Sequence, residues 1–182
     1  MQTTVKYIVI TIITALLLMS CNDGVTLQRY YVDNQESTNF TTVDLPVSII
    51  KLDETQLTEE QKDAYNSVKR LNFLGYKYDE SNEVEYNAEL AKVKAILKNK
   101  KYSDLMEFND KSAKFTVKYL GDGDESDEFI VFASSKEMGF GIVRILGDNM
   151  SPEKMMTLAD AMKNSDIDES QLGDIMGFFK NK

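Results

Sequence analysis

The sequence contains no histidine and no tryptophan, and Cys21 is its single cysteine. Without histidine, Ser-His-Asp and Cys-His nucleophile systems, histidine acid–base catalysis and histidine-ligated metal sites are all excluded. Cys21 also has no partner for an intramolecular disulfide. The chemistry that remains is that of carboxylates or of a cation held by oxygen ligands. We expect no cofactor and no enzymatic activity.

A carboxylate-based enzyme is the alternative hypothesis. Two carboxyl groups can hydrolyse glycosides when one has a raised pKa and the other stays ionised. The 30 acidic residues make chance pairs inevitable, and the chain has no tryptophan to stack on a sugar ring. The residue types therefore favour a domain that only binds.

Basic residues are scarce relative to acidic ones, 21 against 30, which gives a net charge of −9. No basic stripe is present to neutralise phosphates, so a nucleic-acid partner is not expected. The same balance argues against electrostatic adhesion to anionic lipid. A hydrophobic content of 42%, with nine Phe and nine Tyr, is sufficient for a packed core.

The first twenty residues have the pattern of an export signal. Lys6 supplies a basic start, an apolar run extends from Tyr7 to Met19, and the small residue Ser20 precedes Cys21. The run is shorter than the roughly 20 apolar residues that span a bilayer. Two alternatives remain open, namely a plain signal peptide with an incidental cysteine and an uncleaved membrane anchor.

The segment Leu18-Met19-Ser20-Cys21 looks like a lipobox, which predicts cleavage after Ser20 and lipidation of Cys21. Two or three acyl chains, at about 0.8 kcal/mol per buried CH₂, hold a protein firmly in a membrane. Acylation would also remove the one thiol from metal binding and nucleophilic attack. Loss of residues 1–20, with Lys6, leaves 162 residues and a net charge of −10. We expect anchoring in the cell envelope, at the outer membrane, facing the periplasm or the surface.

The chain divides into four predicted segments: a signal peptide over 1–20, a lipidated cysteine and flexible tether over 21–45, a single α+β domain over 46–163, and a C-terminal amphipathic helix over 164–182. The tether is predicted because residues 22–44 are polar and follow no helical or strand period. Four apolar residues within it suit a short strand or local docking: Leu27, Tyr30, Tyr31 and Val32.

The first half of the domain predicts alternating strands and helices. A strand from Pro46 to Leu52 precedes a helix over about 58–70, where Thr58 and Gln61 form a capping box. A strand from Leu71 to Tyr78 and a helix over about 83–99 follow. That helix has one apolar face, made of Tyr86, Leu90, Val93 and Leu97. Residues 102–108 are predicted to form a helical turn and then a short strand.

The second half predicts an antiparallel meander of three strands, from Ala113 to Tyr119, Glu128 to Ala133 and Phe140 to Leu146. The sheet is expected to end at Gly147-Asp148-Asn149. Ser151 as N-cap and Pro152 at the first position start a helix, whose apolar face consists of Met155, Leu158, Ala159 and Met162. A last helix is expected over about 168–180. The predicted fold is α+β, a largely antiparallel sheet with helices on one face and two helices at the C-terminus.

The densest acidic cluster lies in the loop after the first meander strand. Its candidate ligands for a weakly bound Ca²⁺ are Asp122, Asp124, Ser126 and Asp127. Against an EF-hand loop beginning at Asp122, the sixth position is Asp127 where Gly is needed. The twelfth is Ala133 where Glu is needed. The interpretation we favour is a solvated hairpin turn whose charges discourage edge pairing.

The last helix is the candidate partner-binding element. Its apolar residues at helical spacing are Leu172, Ile175, Met176 and Phe179, and Phe178 adds an apolar group on a second side. Methionine-rich helices form adaptable binding surfaces, although the same spacing also suits a core face. We expect this helix to dock on its own domain or on a second envelope protein.

Residues 102–162 resemble a known family, the lipoproteins labelled domain of unknown function 4252. The likeness rests on Tyr102-Ser103-Asp104-Leu105-Met106 after a lysine-rich helix end, on the strand ending Lys118-Tyr119, on the apolar strand Phe129 to Phe132, and on Val143-Arg144-Ile145-Leu146-Gly147 before Ser151. It extends over Pro46 to Lys163. The resemblance implies a small envelope lipoprotein of a Gram-negative bacterium and assigns no catalytic residue. The expected function is an interaction or sensing domain; weak Ca²⁺-dependent binding or carboxylate catalysis is the alternative.

Overall fold

The computed structural model describes residues 24–110, 113–162 and 166–167, and its main feature is a six-stranded antiparallel sheet. The sheet strands are β1 (Phe40–Pro46), β3 (Val68–Lys77), β4 (Tyr102–Asp110), β5 (Ala113–Leu120), β6 (Ser126–Ser135) and β7 (Gly139–Met150). They lie in the order β1-β3-β7-β6-β5-β4. Two short strands, β2 (Ile50–Lys51) and β8 (Asp166–Ile167), pair separately. The α+β class is confirmed, and the predicted three-strand meander lies within the run from β4 to β7.

The described helices are α1 (Leu27–Asn34), α2 (Glu59–Ser67), α3 (Glu83–Leu97) and α4 (Pro152–Met162), with 3₁₀ turns at Val47–Ile49 and Glu80–Asn82. The predicted capping box of α2 is confirmed, since Thr58 accepts a hydrogen bond from the backbone of Gln61 and the Gln61 side chain bonds the Thr58 backbone. Ser151 caps α4 by accepting from the Lys154 backbone at 3.1 Å.

The first face of the sheet carries the larger core under α1 and α3. Sheet side chains from the three central strands meet helix side chains there, and the cluster includes Leu74, Tyr76, Ile130, Phe132, Phe140, Ile142, Tyr30, Tyr86, Val93 and Leu97. The predicted apolar stripe of α3 is confirmed by this contact. Four aromatic rings, Tyr76, Phe140, Tyr86 and Phe40, pack against one another around this core.

The prediction that helices cover only one face is wrong. Helices α2 and α4 pack on the second face, where Ala64 and Leu158 lie against Phe129 and Met150. The physical reason is that β6 and β7 carry apolar side chains on both faces, so both faces need cover. Within the predicted apolar face of α4, Leu158 is buried but Ala159 is exposed.

The predicted tether is wrong from Leu27 onward, because α1 and β1 are both folded parts of the domain. Leu27, Tyr30 and Tyr31 are 1%, 4% and 7% exposed. Their spacing of i, i+3 and i+4 is a single helical turn, and Thr26 caps it by accepting from the Arg29 backbone. Val32 points away and is exposed. The local docking that we expected for the first three residues is thus a helix.

Three strand boundaries also differ from prediction. The first strand ends at Pro46 instead of starting there, since it pairs along its length with β3. Residues 102–108 contain no helical turn and belong to β4, which pairs with β5 across a register shift after Asp104. Strand β7 runs through the residues expected to end the sheet, with Asn149 at a φ of 55° and Met150 opposite Ser126. The predicted last helix, 168–180, lies outside the described residues.

Candidate functional site

The residues predicted for anchoring and partner binding lie outside the described part of the chain. These are Ser20, Cys21, Leu172, Ile175, Phe178 and Phe179. The chain is first described at Gly24, and the Leu27 backbone N–H donates to the Tyr102 hydroxyl at 3.0 Å. This bond ties α1 to the start of β4. Among the described residues, no helix is both long and apolar enough to cross a membrane.

The acidic loop has the geometry of a hairpin turn. Asp122, Asp124 and Asp127 are exposed, whereas Ser126 is buried. The Ser126 hydroxyl lies 2.8 Å from the Leu120 carbonyl and 2.9 Å from that of Glu128, so it is used in closing the turn. Within residues 24–110, 113–162 and 166–167, no three acidic side chains gather as metal ligands would. This arrangement does not favour Ca²⁺ binding.

Glu128 is the buried carboxylate of the described residues, at 6% exposure. The Arg144 Nε lies 2.6 Å from its Oε1, and Arg144 is itself 5% exposed. The guanidinium carbon lies 5.8 Å from the centre of the Tyr31 ring. Glu128 and Arg144 thus form a buried ion pair between the neighbouring strands β6 and β7, in which each charge is matched by the other.

A polar network beside this pair joins α1 to the sheet. The Tyr31 hydroxyl donates to Asp44 Oδ1, and the Asn72 amide donates to the same oxygen. Burial, and then the hydrogen bond to Asp44, raises the pKa of Tyr31 to about 12. Burial and a hydrogen bond to Glu89 likewise raise the pKa of Tyr30. Both hydroxyls therefore stay protonated at neutral pH.

A groove lies on the first face where α3 leaves the outer strands uncovered. Strand β5 turns its polar side chains, Lys114, Thr116 and Lys118, toward this face, because Lys118 is opposite Ile130 and Thr116 is opposite Phe132. Its apolar residues point to the second face. Helix α3 packs over the three central strands, and the lysines of β5 line the space beside it.

Four lysines line the smaller of two adjoining cavities here, and we call the whole space the lysine groove: Lys94 in the last turn of α3, Lys98 at its C-cap, and Lys114 and Lys118 of β5. The two cavities measure about 340 and 740 Å³ and share Lys94, Lys114 and Ser134, and the larger one is also lined by Lys136 and Glu137. Apolar side chains contribute to the lining as well, namely Leu90, Leu97 and Phe132. The groove therefore combines amino groups with apolar surface.

Charges in the lysine groove are only partly compensated. Lys114 Nζ lies 2.8 Å from Glu107, and Lys118 Nζ lies 2.5 Å from Asp104. In the described part of the chain, Lys94 and Lys98 form no salt bridge. Lys118 is 11% exposed, so its aliphatic stem is packed and its amino group is held in place.

Sequence reasoning missed the lysine groove, although one signal was present. Lys94 and Lys98 are four residues apart on a helix, which places two like charges on one face at a cost of a few tenths of a kcal/mol. The alternation of Lys114 and Lys118 with apolar residues predicted a half-exposed strand. Their approach to α3 depends on the sheet order, which the local pattern does not contain.

One known protein family matches most of the chain. The family described as Domain of unknown function (DUF4252) matches residues 30–158. The chain belongs to this family. The matched DUF4252 region begins within α1 and ends within α4, so it includes the lysine groove, and it starts earlier than the Pro46 that we expected. No curated protein and no solved structure matches the chain.

Proposed function

We propose that this DUF4252 protein is a lipid-anchored domain of the bacterial cell envelope that binds an anionic ligand in the lysine groove and catalyses no reaction. The observation that carries the proposal is the convergence of four lysines from α3 and β5 on one groove in a chain with a net charge of −9. Anchoring rests on the lipobox-like segment that ends at Cys21.

The start of α1 supports a position close to the membrane. Five residues, 22–26, separate Cys21 from α1, which begins at Leu27. At about 3.5 Å per residue, this connection reaches roughly 20 Å. An acylated Cys21 would thus hold the domain beside the headgroups instead of on a long tether.

The charge arrangement supports an anionic ligand. Lys94 and Lys98 repel each other across one helical turn, and an anion between them would relieve that cost. The partly compensated Lys114 and Lys118 lie across the groove from them. The apolar lining beside the amino groups suits a ligand with a carboxylate or phosphate at one end and a short apolar part.

The same structure offers little support for catalysis by carboxylates. The buried Glu128 is paired with Arg144. Asp104 and Glu107, which line the groove, are paired with its lysines. A general acid needs a carboxyl group free to exchange its proton with a substrate.

Titration of the full chain with octyl phosphate tests the binding proposal. We expect saturable binding that weakens as salt is raised, because exposed charges are screened. Charge reversal at two positions, Lys94→Glu with Lys98→Glu, should weaken it at least 10-fold. The control is Lys69→Glu, which reverses the charge at an exposed position outside the groove.

Two further probes test the specificity of binding. Octyltrimethylammonium should not bind, and inorganic phosphate should bind more weakly than octyl phosphate because it has no apolar part. Equal binding by the double variant and by Lys69→Glu would contradict the proposal. So would equal affinity for the cationic and anionic probes.

A further inference from the structure

The second face of the sheet has two further rows of side chains, of which Val43 packs in a cluster with Tyr65 of α2 and Met162 of α4. One row consists of Val43, Phe73, Val143, Val131, Val117 and Met106, in register across six strands. The next consists of Thr41, Gly75, Gly141, Ala133, Phe115 and Phe108. We call these the apolar rows. At the outer strands, Met106 and Phe108 are 47% and 44% exposed.

The shape of the apolar rows suits a helix. Gly75, Gly141 and Ala133 are neighbours on the three central strands, so the middle of the second row is a shallow trough of small residues. Small residues let a helix backbone approach closely. Phe108 and Phe115 border the trough with rings stacked 4.9 Å apart.

Phe73 in the apolar rows is already covered. It is 2% exposed, and its neighbours across the sheet in the same row are Val43 and Val143. The glycines beside it, Gly75 and Gly141, are buried too.

The described chain ends near these rows. Strand β8 pairs with β2, and β2 directly follows Ile49, which packs with Leu45 and Leu71 on the second face. Leu45 and Leu71 lie one row away from Val43 and Phe73. The last described residue, Ile167, thus lies near the apolar rows.

The length and pattern of residues 168–182 fit the rows as well. A helix over 168–180 would be about 20 Å long. The distance from β3 to β4 across four strand spacings is about 19 Å. The one apolar stripe of this segment consists of Leu172, Ile175, Met176 and Phe179.

We infer that residues 168–182 pack as an amphipathic helix across the apolar rows of their own chain, with the stripe from Leu172 to Phe179 in the glycine–alanine trough. The segment lies beyond the DUF4252 match, which ends at residue 158. It covers a face that the family region leaves open, and a protein partner could bind that face only by displacing it. This inference is independent of the lysine groove.

Cysteine cross-linking in the full chain tests the position of the segment. Ala133→Cys with Met176→Cys should form an intramolecular cross-link, seen as a joined pair of peptides by mass spectrometry. The matched control replaces Ser134, which adjoins Ala133 but faces the opposite side of β6, so Ser134→Cys with Met176→Cys should not react. Met176→Cys alone reports any reaction with the native Cys21.

The outcomes separate the possible occupants. Cross-links between two chains would assign the face to a second copy and overturn the inference. Equal cross-linking from positions 133 and 134, or none from either, would overturn it as well.

A second measurement does not depend on cross-linking. Ending the chain after Ile167 keeps β8 and should lower the melting temperature by about 5 °C or more, as loss of a docked helix would. Phe179→Asp should reproduce much of that loss, whereas Ser170→Asp, on the polar side, should not. An unchanged melting temperature in the shortened chain would contradict the inference.

Discussion

The Tyr31 hydroxyl donates a hydrogen bond to Asp44 Oδ1 at 2.9 Å, which joins the first helix to the edge strand β1. Asn72 on β3 donates to the same carboxylate oxygen. One aspartate thus holds together a helix and two strands. Asp44 lies in the region that the local sequence pattern predicted to be a tether.

Removing the Asp44 carboxylate should lower the free energy of unfolding more than removing the Tyr31 hydroxyl. Tyr31→Phe loses one hydrogen bond, worth about 1 kcal/mol of unfolding free energy. Asp44→Ala should cost about 2–3 kcal/mol, because the buried Asn72 amide also loses its acceptor. Urea unfolding of the two variants checks the order. Equal losses would show that Asn72 does not depend on Asp44.

Alkaline pH should destabilise the domain through Tyr31. Its pKa is raised by burial, and then by Asp44, from 10.0 to about 12. Between these values the native state keeps a proton that the unfolded state releases, so the free energy of unfolding falls as pH rises. The stabilising contribution of the Tyr31 hydroxyl to the free energy of unfolding is fully present below about pH 10.

The measurement is the urea midpoint of the natural chain and of Tyr31→Phe from pH 8.5 to 11. Lysines titrate in both proteins, so the difference between the two curves isolates Tyr31. We expect the gap between them to shrink above pH 10. Parallel curves would contradict the assignment.

The buried ion pair predicts that the stability of the domain depends strongly on both Glu128 and Arg144. Glu128→Ala should cost about 3–5 kcal/mol, because it leaves the Arg144 charge buried and unpaired. The double change Glu128→Leu with Arg144→Met should recover most of that loss, since apolar replacement of a buried pair is often neutral. Chemical denaturation of the three proteins measures the cycle. A double variant as unstable as Glu128→Ala would rule out charge burial as the cause.

Cys21→Ala tests the proposed anchor. We expect the variant to leave the membrane fraction and to lose the mobility shift of a lipidated protein, because no acyl chains would remain to hold it. Its circular dichroism should not change, since Cys21 precedes the first described helix, which begins at Leu27. Cys21→Ala that stays membrane-bound with unchanged mobility would show that Cys21 is not the anchor.

Several elements could be predicted because their signals are local. Thr58 and Gln61 cap α2 through atoms three residues apart, and Ser151 caps α4 in the same way. The stripe of α3 and the alternation of β5 are also repeats within a single element. Tyr30 and Tyr31 were placed in a tether because one helical turn carries too few apolar positions to establish a period.

The candidate site depended on strand order. Lys94 and Lys114 belong to different elements, and they line one groove because β5 lies beyond the strands that α3 covers. The acidic loop, where a solvated hairpin turn was favoured over a weak cation site, closes a hairpin through Ser126.

The sequence by itself determined the family, the α+β class, most helix starts and the exclusion of histidine and disulfide chemistry. These follow from residue types and from periods that extend over one element. Only the tertiary structure decided that helices cover both faces, that α1 and β1 belong to the domain, and that four lysines share a groove. Those features depend on which strands become neighbours, and pairing between distant strands is set by the burial of the whole core and not by any one segment.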